Sequence, residues 1–271
     1  MMQEGTGDVS IGYGQELSTA STRVFVPNYT NNKNSMTALT IVNLDSTAGN
    51  AQVRLVGRDG VQIGATRDIP IFASGKLTVD SHDFFLDPVY AEAMTTDVSS
   101  NAKERPGDKQ PGKPGKGNPS PSSSEIDGYV EIVSDGIRLV GNASYRGYRN
   151  QSFIATLPLV SDLSQNVVFH HIASDDLYYT DIAIVNPGIT DATVTLELYN
   201  DNGVLVDTSR VSVPAGQQLC PSLSEYFGAL KTASQIGGHV ILSSSLPVAT
   251  YSLFGTNNRS ALSALPGHKI K

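Results

Sequence analysis

An internal duplication is the feature that most constrains what this chain can fold into. The segment Ile41-Val42-Asn43-Leu44 returns as Ile184-Val185-Asn186-Pro187, and the turn Arg58-Asp59-Gly60-Val61 returns as Asp201-Asn202-Gly203-Val204. Both matches are separated by the same 143 residues. Because a shared spacing indicates duplication, we expect the 271-residue chain to contain two similar domains of ordinary size.

Both copies contain short stretches in which apolar and polar residues alternate. Val53-Arg54-Leu55 in the first copy matches Leu196-Glu197-Leu198 in the second. Alternation at every second residue predicts a strand with one buried face and one exposed face. The Asp59-Gly60 and Asn202-Gly203 dipeptides that follow predict hairpin turns, because Gly and Asn tolerate a positive φ.

Further turns and an aromatic pair also occur in both copies. Ala73-Ser74-Gly75 matches Pro214-Ala215-Gly216 as a second turn. Phe84-Phe85 matches Tyr226-Phe227, and we expect a short helical or irregular segment there that packs over one end of the sheets.

The strand count predicts an all-β fold of two tandem antiparallel β-sandwiches of the immunoglobulin or fibronectin-III kind. Each copy offers about seven or eight short strands separated by turns, and neither contains a long helical run. The closing segments Ser144–Gly147 and Ser252–Gly255 also match. We therefore divide the chain into an N-terminal segment (1–22), a first sandwich (23–158) and a second sandwich (159–271).

The first copy contains an insertion. Gly128-Tyr129-Val130 matches Gly238-His239-Val240 at a spacing of 110, which locates about 33 extra residues before it, at 91–124. This segment is rich in Pro, Gly and Lys and poor in apolar side chains, so we predict a disordered loop. It is either a tolerated surface insertion or a basic tether for an anionic partner, such as a polysaccharide or a membrane surface.

The order of these features resembles a known class of repeats. An apolar pair before Pro27 or His170 is followed by Ile-Val-Asn, a hairpin Gly, a Pro/Ala-Gly turn, an aromatic pair, Gly-x-Val-x-Ile/Leu and a closing Gly. The pattern resembles tandem β-sandwich repeats of bacterial secreted and cell-envelope proteins, and it covers nearly the whole chain after residue 22. The resemblance implies a fold and a location, and it transfers no catalytic residue.

Charge and hydropathy restrict the partners of the chain. The formal net charge of −7 argues against a general nucleic-acid binder, since phosphate neutralisation needs clustered Lys and Arg. No stretch approaches the ~18 apolar residues of a transmembrane helix. The first residues, Met1–Gly5, do not resemble a signal peptide. We nevertheless expect a secreted or cell-envelope protein, with a cytoplasmic location left open.

The sequence favours a protein that is not an enzyme and binds no cofactor or metal. It contains no Gly-x-Ser-x-Gly elbow, and the single cysteine, Cys220, is expected to be a small buried residue. His170 and His171 are adjacent and cannot readily share one ion, and His239 replaces Tyr129 inside a strand. The acidic residues around Asp175-Asp176 do not match a calcium-binding loop.

One segment has the composition of a recognition surface. Tyr145, Arg146, Tyr148 and Arg149 interleave rings and guanidinium groups, which stack on sugars and donate hydrogen bonds to polar ligands. These four residues are the candidate ligand-binding residues. An edge strand or a contact between the domains explains the same composition.

The sequence is compatible with three functions. The first is a non-enzymatic secreted or cell-surface module with a structural or adhesive role, whose partner is a surface polysaccharide or another envelope protein. The second is a carbohydrate-binding module, and the third is a subunit of an envelope filament or complex, in which sandwich edges pair with neighbouring chains. The oligomeric state is left open.

Overall fold

The all-β prediction is confirmed. A computed structural model describes residues 9–11, 19–32, 35–79, 83–86, 125–147, 153–258 and 260–270. The strands of the first repeat are β1 (Val9–Ile11), β2 (Arg23–Asn31), β3 (Ser35–Asn43), β4 (Gly49–Gly57), β5 (Gln62–Ile71), β6 (Lys76–Val79), β7 (Ile126–Ser134), β8 (Leu139–Gly147) and β9 (Phe153–Pro158). The predicted disordered insertion at 91–124 lies outside the described residues.

The second repeat has the same organisation with more short strands. Its strands are β10 (Ser164–Phe169), β11 (Ala173–Ser174), β12 (Tyr178–Val185), β13 (Ala192–Tyr199), β14 (Leu205–Val213), β15 (Gln218–Leu219), β16 (Gln235–Ile236), β17 (His239–Thr256), β18 (Leu262–Pro266) and β19 (His268–Lys269). The helices α1 (Asp83–Leu86) and α2 (Leu223–Tyr226) and a 3-10 helix (Gly228–Lys231) complete the described elements.

Each repeat forms two facing groups of strands. In the first repeat, β2-β7-β4-β5 and β6-β3-β8-β9 are joined through β2 and β3, which share the single residue pair Asn31 and Met36. In the second, β14-β13-β17-β10-β19 and β15-β12-β17-β18 share β17, whose 18 residues run through both groups. Among the described strands, all pairs are antiparallel except that of β1 with β9, which is parallel. β1 belongs to the predicted N-terminal segment.

The predicted alternation is seen in the strand cores. In β13, buried Ala192, Val194, Leu196 and Leu198 alternate with more exposed residues, as Ala51, Val53 and Leu55 do in β4. Burial of the apolar member of each pair is the main stabilising term, at about 25 cal/mol per Å². In the part of the chain that the structure describes, no helix is long and apolar enough to cross a membrane.

The turns follow the predictions with one correction. Gly60 (φ 81°) and Gly203 (φ 73°) occupy the two predicted hairpins. In the second pair of turns, the positive φ belongs to Ser74 (52°) and Gly216 (70°), so Gly75 is not the counterpart of Gly216. The second copy is one residue shorter before this turn, which the sequence match missed.

The closing match is also off by one residue. Ala143 pairs with Leu39 in the first repeat, and Ser252 pairs with Ile182 in the second. These pairs make Ser252 the counterpart of Ala143, although the sequence match had aligned it with Ser144. The inward and outward faces of β8 must be read in this corrected register.

The aromatic pairs lie in and beside the short helices, as predicted. Phe84 and Phe85 are the two central residues of α1 and are 2% and 1% exposed. Tyr226 ends α2, and Phe227 follows it with no exposed surface. Ser222 and Glu225 form a capping box at the start of α2, in which the Glu225 carboxylate accepts from the Ser222 backbone N–H.

Candidate functional site: the junction between the repeats

The two repeats meet on the outer face of the β2-β7-β4 group. Phe25, Val56 and Tyr129 of the first repeat pack against Val185 and Ala249 of the second. These side chains alternate with residues that point into the core of the first sandwich, so β7 is buried continuously from Gly128 to Ile132. A sheet covered on both faces gives such a run.

The core of the first repeat also includes residues of the second. Ala183, Tyr251, Leu253 and Ala264 belong to the same buried cluster as the first repeat's core residues. The division at residue 158 stays a prediction, but the hydrophobic packing does not stop there.

A buried tyrosine pair lies at the centre of the junction. The Tyr145 and Tyr251 hydroxyls contact each other, and both donate to the carbonyl oxygen of Asn28, at 2.5 and 2.7 Å. The backbone N–H of Asn28 donates back to the Tyr251 hydroxyl oxygen at 2.7 Å. Burial raises the pKa of Tyr251 well above its usual value, so the phenol stays neutral at ordinary pH.

Further polar contacts cross the junction. Gln218 donates from Nε2 to the Pro27 carbonyl at 2.6 Å and from its backbone N–H to the Arg58 carbonyl at 3.2 Å. Tyr129 donates to the Gly216 carbonyl at 2.9 Å. Within the described residues, Gln218 Oε1 has no hydrogen-bond partner. Hydrogen bonds to backbone groups fix direction as well as distance, so they hold the repeats in one orientation.

Beyond the apolar contact, the same sheet face becomes charged. Glu131 is only 3% exposed and accepts from Arg23 Nε at 2.6 Å and from Arg54 Nε at 2.5 Å. The Arg23 guanidinium also lies over the Phe25 ring, 5.0 Å from its centroid. These contacts give the buried carboxylate partners on both oxygens, as a buried charge requires.

A polar cleft opens beside the tyrosine pair, with walls from both repeats. Its volume is about 330 Å³, and its polar lining residues are Asn28, Thr30, Asn32, Ser35, Arg58, Glu125, Asp127, Tyr145, Tyr179 and Asp181. A second cavity of about 490 Å³ shares Tyr179, Asp181 and Cys220 with it and extends toward α2. Both volumes fall within the range of small-molecule sites.

Several charged groups of the two cavities form ion pairs or hydrogen bonds. Arg58 and Asp127 form an ion pair at 3.6 Å across the first-repeat wall. Glu225 Oε2 accepts from the Ser222 backbone N–H at 2.8 Å and from the Ser222 hydroxyl at 3.0 Å, and these bonds lower the pKa of Glu225. Burial, with the Asp181 carboxylate adding to it, raises the pKa of the Cys220 thiol, which is therefore protonated at neutral pH.

The two predicted ligand-binding residues that the structure describes, Tyr145 and Arg146, do not share one surface. Tyr145 is 1% exposed and forms part of the junction between the repeats, at the wall of the cleft. Arg146 is exposed on the opposite side of β8. Tyr148 and Arg149 lie outside the described residues. Tyr145 takes part in the contact between the repeats, and its role in ligand binding stays a prediction.

The histidines and acidic residues contact separate neighbours. The His170 ring lies 5.0 Å from His268, and the His171 ring lies 4.9 Å from Phe254. His239 stacks on Tyr199 at 5.0 Å. Asp175 Oδ1 accepts from two backbone N–H groups of its own turn. Among the residues that the structure describes, no three His, Cys, Asp or Glu side chains converge as a metal site would require.

Sequence reasoning missed the cleft, although the duplication contained a signal for it. The junction uses positions where the copies differ: Tyr129 stands where the second copy has His239, and Gln218 stands where the first has Lys76. Differences between otherwise similar copies mark surfaces with different surroundings.

Comparisons with protein-family models, with curated proteins and with solved structures give no match for this chain. The functional inference therefore depends on the chemistry of the junction and its cleft. Both are formed by residues from each repeat.

Proposed function

We propose that the protein is a non-enzymatic secreted or cell-surface module that binds a polar ligand in the cleft between two immunoglobulin- or fibronectin-III-like sandwiches. One observation carries the proposal: the cleft draws Arg58 and Asp127 from one repeat and Tyr179 and Asp181 from the other. Buried hydrogen bonds beside it hold these walls in register. A site fixed before binding loses little conformational entropy when the ligand enters.

The lining favours a carbohydrate as the ligand class. Amide, hydroxyl and carboxylate groups line the cleft, and Tyr179 adds an aromatic side chain. Such groups match the dense donors and acceptors of sugar hydroxyls. A surface polysaccharide is therefore the preferred partner, and another envelope protein is the alternative.

The chemistry of the cleft supports binding rather than catalysis. The Cys220 thiol is protonated at neutral pH, and thiolates, not thiols, act as nucleophiles. Glu225 accepts the capping bonds of α2, and Asp127 is paired with Arg58. Each group has a structural role that a proton-transfer step would disturb.

A glycan array followed by calorimetric titration tests the proposal. We expect the wild-type chain to bind a glycan, and Arg58→Gln and Asp127→Asn to weaken that binding by about tenfold each, because both remove a charged hydrogen-bonding group. Both side chains are about half exposed, so the substitutions leave the fold intact.

Arg146→Gln is the matched control, since it removes an exposed guanidinium outside the cleft. Loss of binding in Arg146→Gln alone would place the site on the β8 segment. If the wild-type chain binds no glycan on the array, the carbohydrate class is rejected.

Protease digestion of intact host cells tests the surface location. We expect the protease to cleave the protein, and a protein that stays protected contradicts surface exposure.

A further inference from the structure

The junction is built from two surfaces, and the duplication supplies each of them a second time. We define the front face of the first repeat as Phe25, Val56, Arg58 and Tyr129. We define the rear face of the second repeat as Val185, Gln218, Ala249 and Tyr251. These two faces meet inside the chain through apolar packing and backbone hydrogen bonds.

The second repeat has its own front face, which consists of Val168, Tyr199, Asp201 and His239. The strand registers show which residues are equivalent. Val56 pairs with Tyr129 in the first repeat and Tyr199 pairs with His239 in the second, so Tyr199 is the counterpart of Val56 and His239 that of Tyr129. In the described part of the chain, these residues are partly or fully exposed. The Tyr199 and His239 rings stack on each other on this face, with centroids 5.0 Å apart and planes 5° from parallel.

Main-chain pairing beside the two front faces is equivalent as well. Phe25 exchanges backbone hydrogen bonds with Val160 of the connecting segment, at 2.7 and 2.8 Å. Val168, its counterpart, pairs with His268 of β19. The second front face therefore has the backbone arrangement of the first.

The first repeat likewise has a rear face, which consists of Val42, Lys76, Val140 and Asn142. Val185 pairs with both Gln218 and Ala249, and Val42 pairs with both Lys76 and Val140. Lys76 is exposed, and the other three residues are partly exposed. This rear face is more polar than its counterpart, because Asn142 stands where the second repeat has the buried Tyr251.

The charges on the two open faces are complementary. Glu197, Asp201 and Arg210 lie on the open front face, which therefore has an excess of carboxylates, and Lys76 and Arg146 lie on the open rear face. At the internal junction, the Gln218 backbone N–H reaches the Arg58 carbonyl at 3.2 Å. Lys76 is the counterpart of Gln218, and Asp201 is the counterpart of Arg58. If two molecules dock in the same way, the Lys76 ammonium of one molecule therefore lies next to the Asp201 carboxylate of the other.

We propose that the chain associates head to tail with further copies of itself, with the front face of the second repeat docking on the rear face of the first repeat of the next copy. The two faces differ, so the contact is heterologous and generates chains or rings rather than closed two-fold dimers. The polar rear face makes it weaker than the internal junction and sensitive to salt.

Sedimentation velocity of the full chain tests this directly. We expect the weight-average mass to rise with protein concentration at low salt and to fall when salt is added. Lys76→Glu and Asp201→Lys each weaken association by about tenfold, because each places like charges together. The double variant Lys76→Glu/Asp201→Lys restores it, since the pair is then reversed.

Asp176→Lys is the matched control, with the same change of charge at an exposed residue outside both faces. It should associate about as the wild-type chain does. A chain that stays monomeric up to about 1 mM overturns the proposal, and so does a double variant that associates no better than the single variants.

Cysteine cross-linking tests the geometry. Lys76→Cys and Asp201→Cys proteins should form a covalent dimer under oxidation when mixed, and much less of one when each is oxidised alone. Cys220 is present in every sample, so its contribution is constant. Equal cross-linking in the separate samples contradicts the head-to-tail arrangement.

Discussion

At the residue scale, a buried asparagine explains the Ile-Val-Asn motif of each copy. Asn43 donates from Nδ2 to the Thr47 and Phe72 carbonyls at 2.8 and 3.0 Å, and its Oδ1 accepts from the Asp45 backbone. Asn186 makes the equivalent three bonds in the second repeat. Each side chain joins two loops at one end of its sandwich.

Asn186→Asp should destabilise the protein by about 2–3 kcal/mol, because a carboxylate cannot donate to the two carbonyls and both are left unpaired. Asn43→Asp should behave alike. Urea denaturation measures the change, with the exposed Asn166→Asp as the control. Equal midpoints for the three variants would contradict the assigned role.

A second residue-scale prediction concerns the turn at Ser74 and Gly216. A side chain at positive φ costs about 1 kcal/mol, so Ser74→Gly should stabilise the protein and Gly216→Ala should destabilise it. No atom lies near a Cβ added at Gly216, so backbone strain alone acts there. Thermal denaturation should show opposite shifts, and shifts of the same sign would refute the assignment.

At the scale of elements, α1 is held to the first sandwich by a buried arginine. Arg67 is 8% exposed and donates from Nε to the Phe84 carbonyl at 2.6 Å, at the end of a helix of only 4 residues. So short a helix depends on tertiary contacts for its stability. Arg210 lies on β14, the equivalent strand of the second repeat, and is exposed, whereas the strand registers place Ser209 at the position of Arg67.

Arg67→Met should therefore cost about 2–3 kcal/mol, since the freed helix carbonyls lose charge-assisted bonds. Arg210→Met is the matched control and should cost less than about 0.5 kcal/mol. Chemical denaturation compares the two. An equal loss in both variants would show that the Arg67 contacts do not stabilise the helix.

Strands and hairpins could be predicted because their signals are local. Alternation around Arg54 and Glu197 and the glycines at 60 and 203 act within a few residues. The second turn was misassigned by one position, since Ser74 adopts a conformation that sequence rules reserve for glycine. The burial of Tyr145 was not predictable, because its partners Asn28 and Tyr251 lie 117 and 106 residues away.

At the scale of the whole molecule, the raised pKa of the buried Tyr251 at the junction makes the stability of the protein fall at alkaline pH. A raised folded-state pKa means that the stabilisation is complete below the unfolded pKa of about 10 and is lost as pH rises beyond it. The urea midpoint should fall from pH 9 to pH 11. Tyr251→Phe should reduce that slope, and an unchanged slope would contradict the role of Tyr251.

Differential scanning calorimetry of the full chain tests the central claim most directly, namely that the two sandwiches form one unit whose junction shapes the cleft. We predict a single cooperative transition, because the junction is as buried as either core. Tyr251→Ala should split that transition in two by removing the central contact. Two independent transitions in the wild-type chain, unchanged by Tyr251→Ala, would contradict the account.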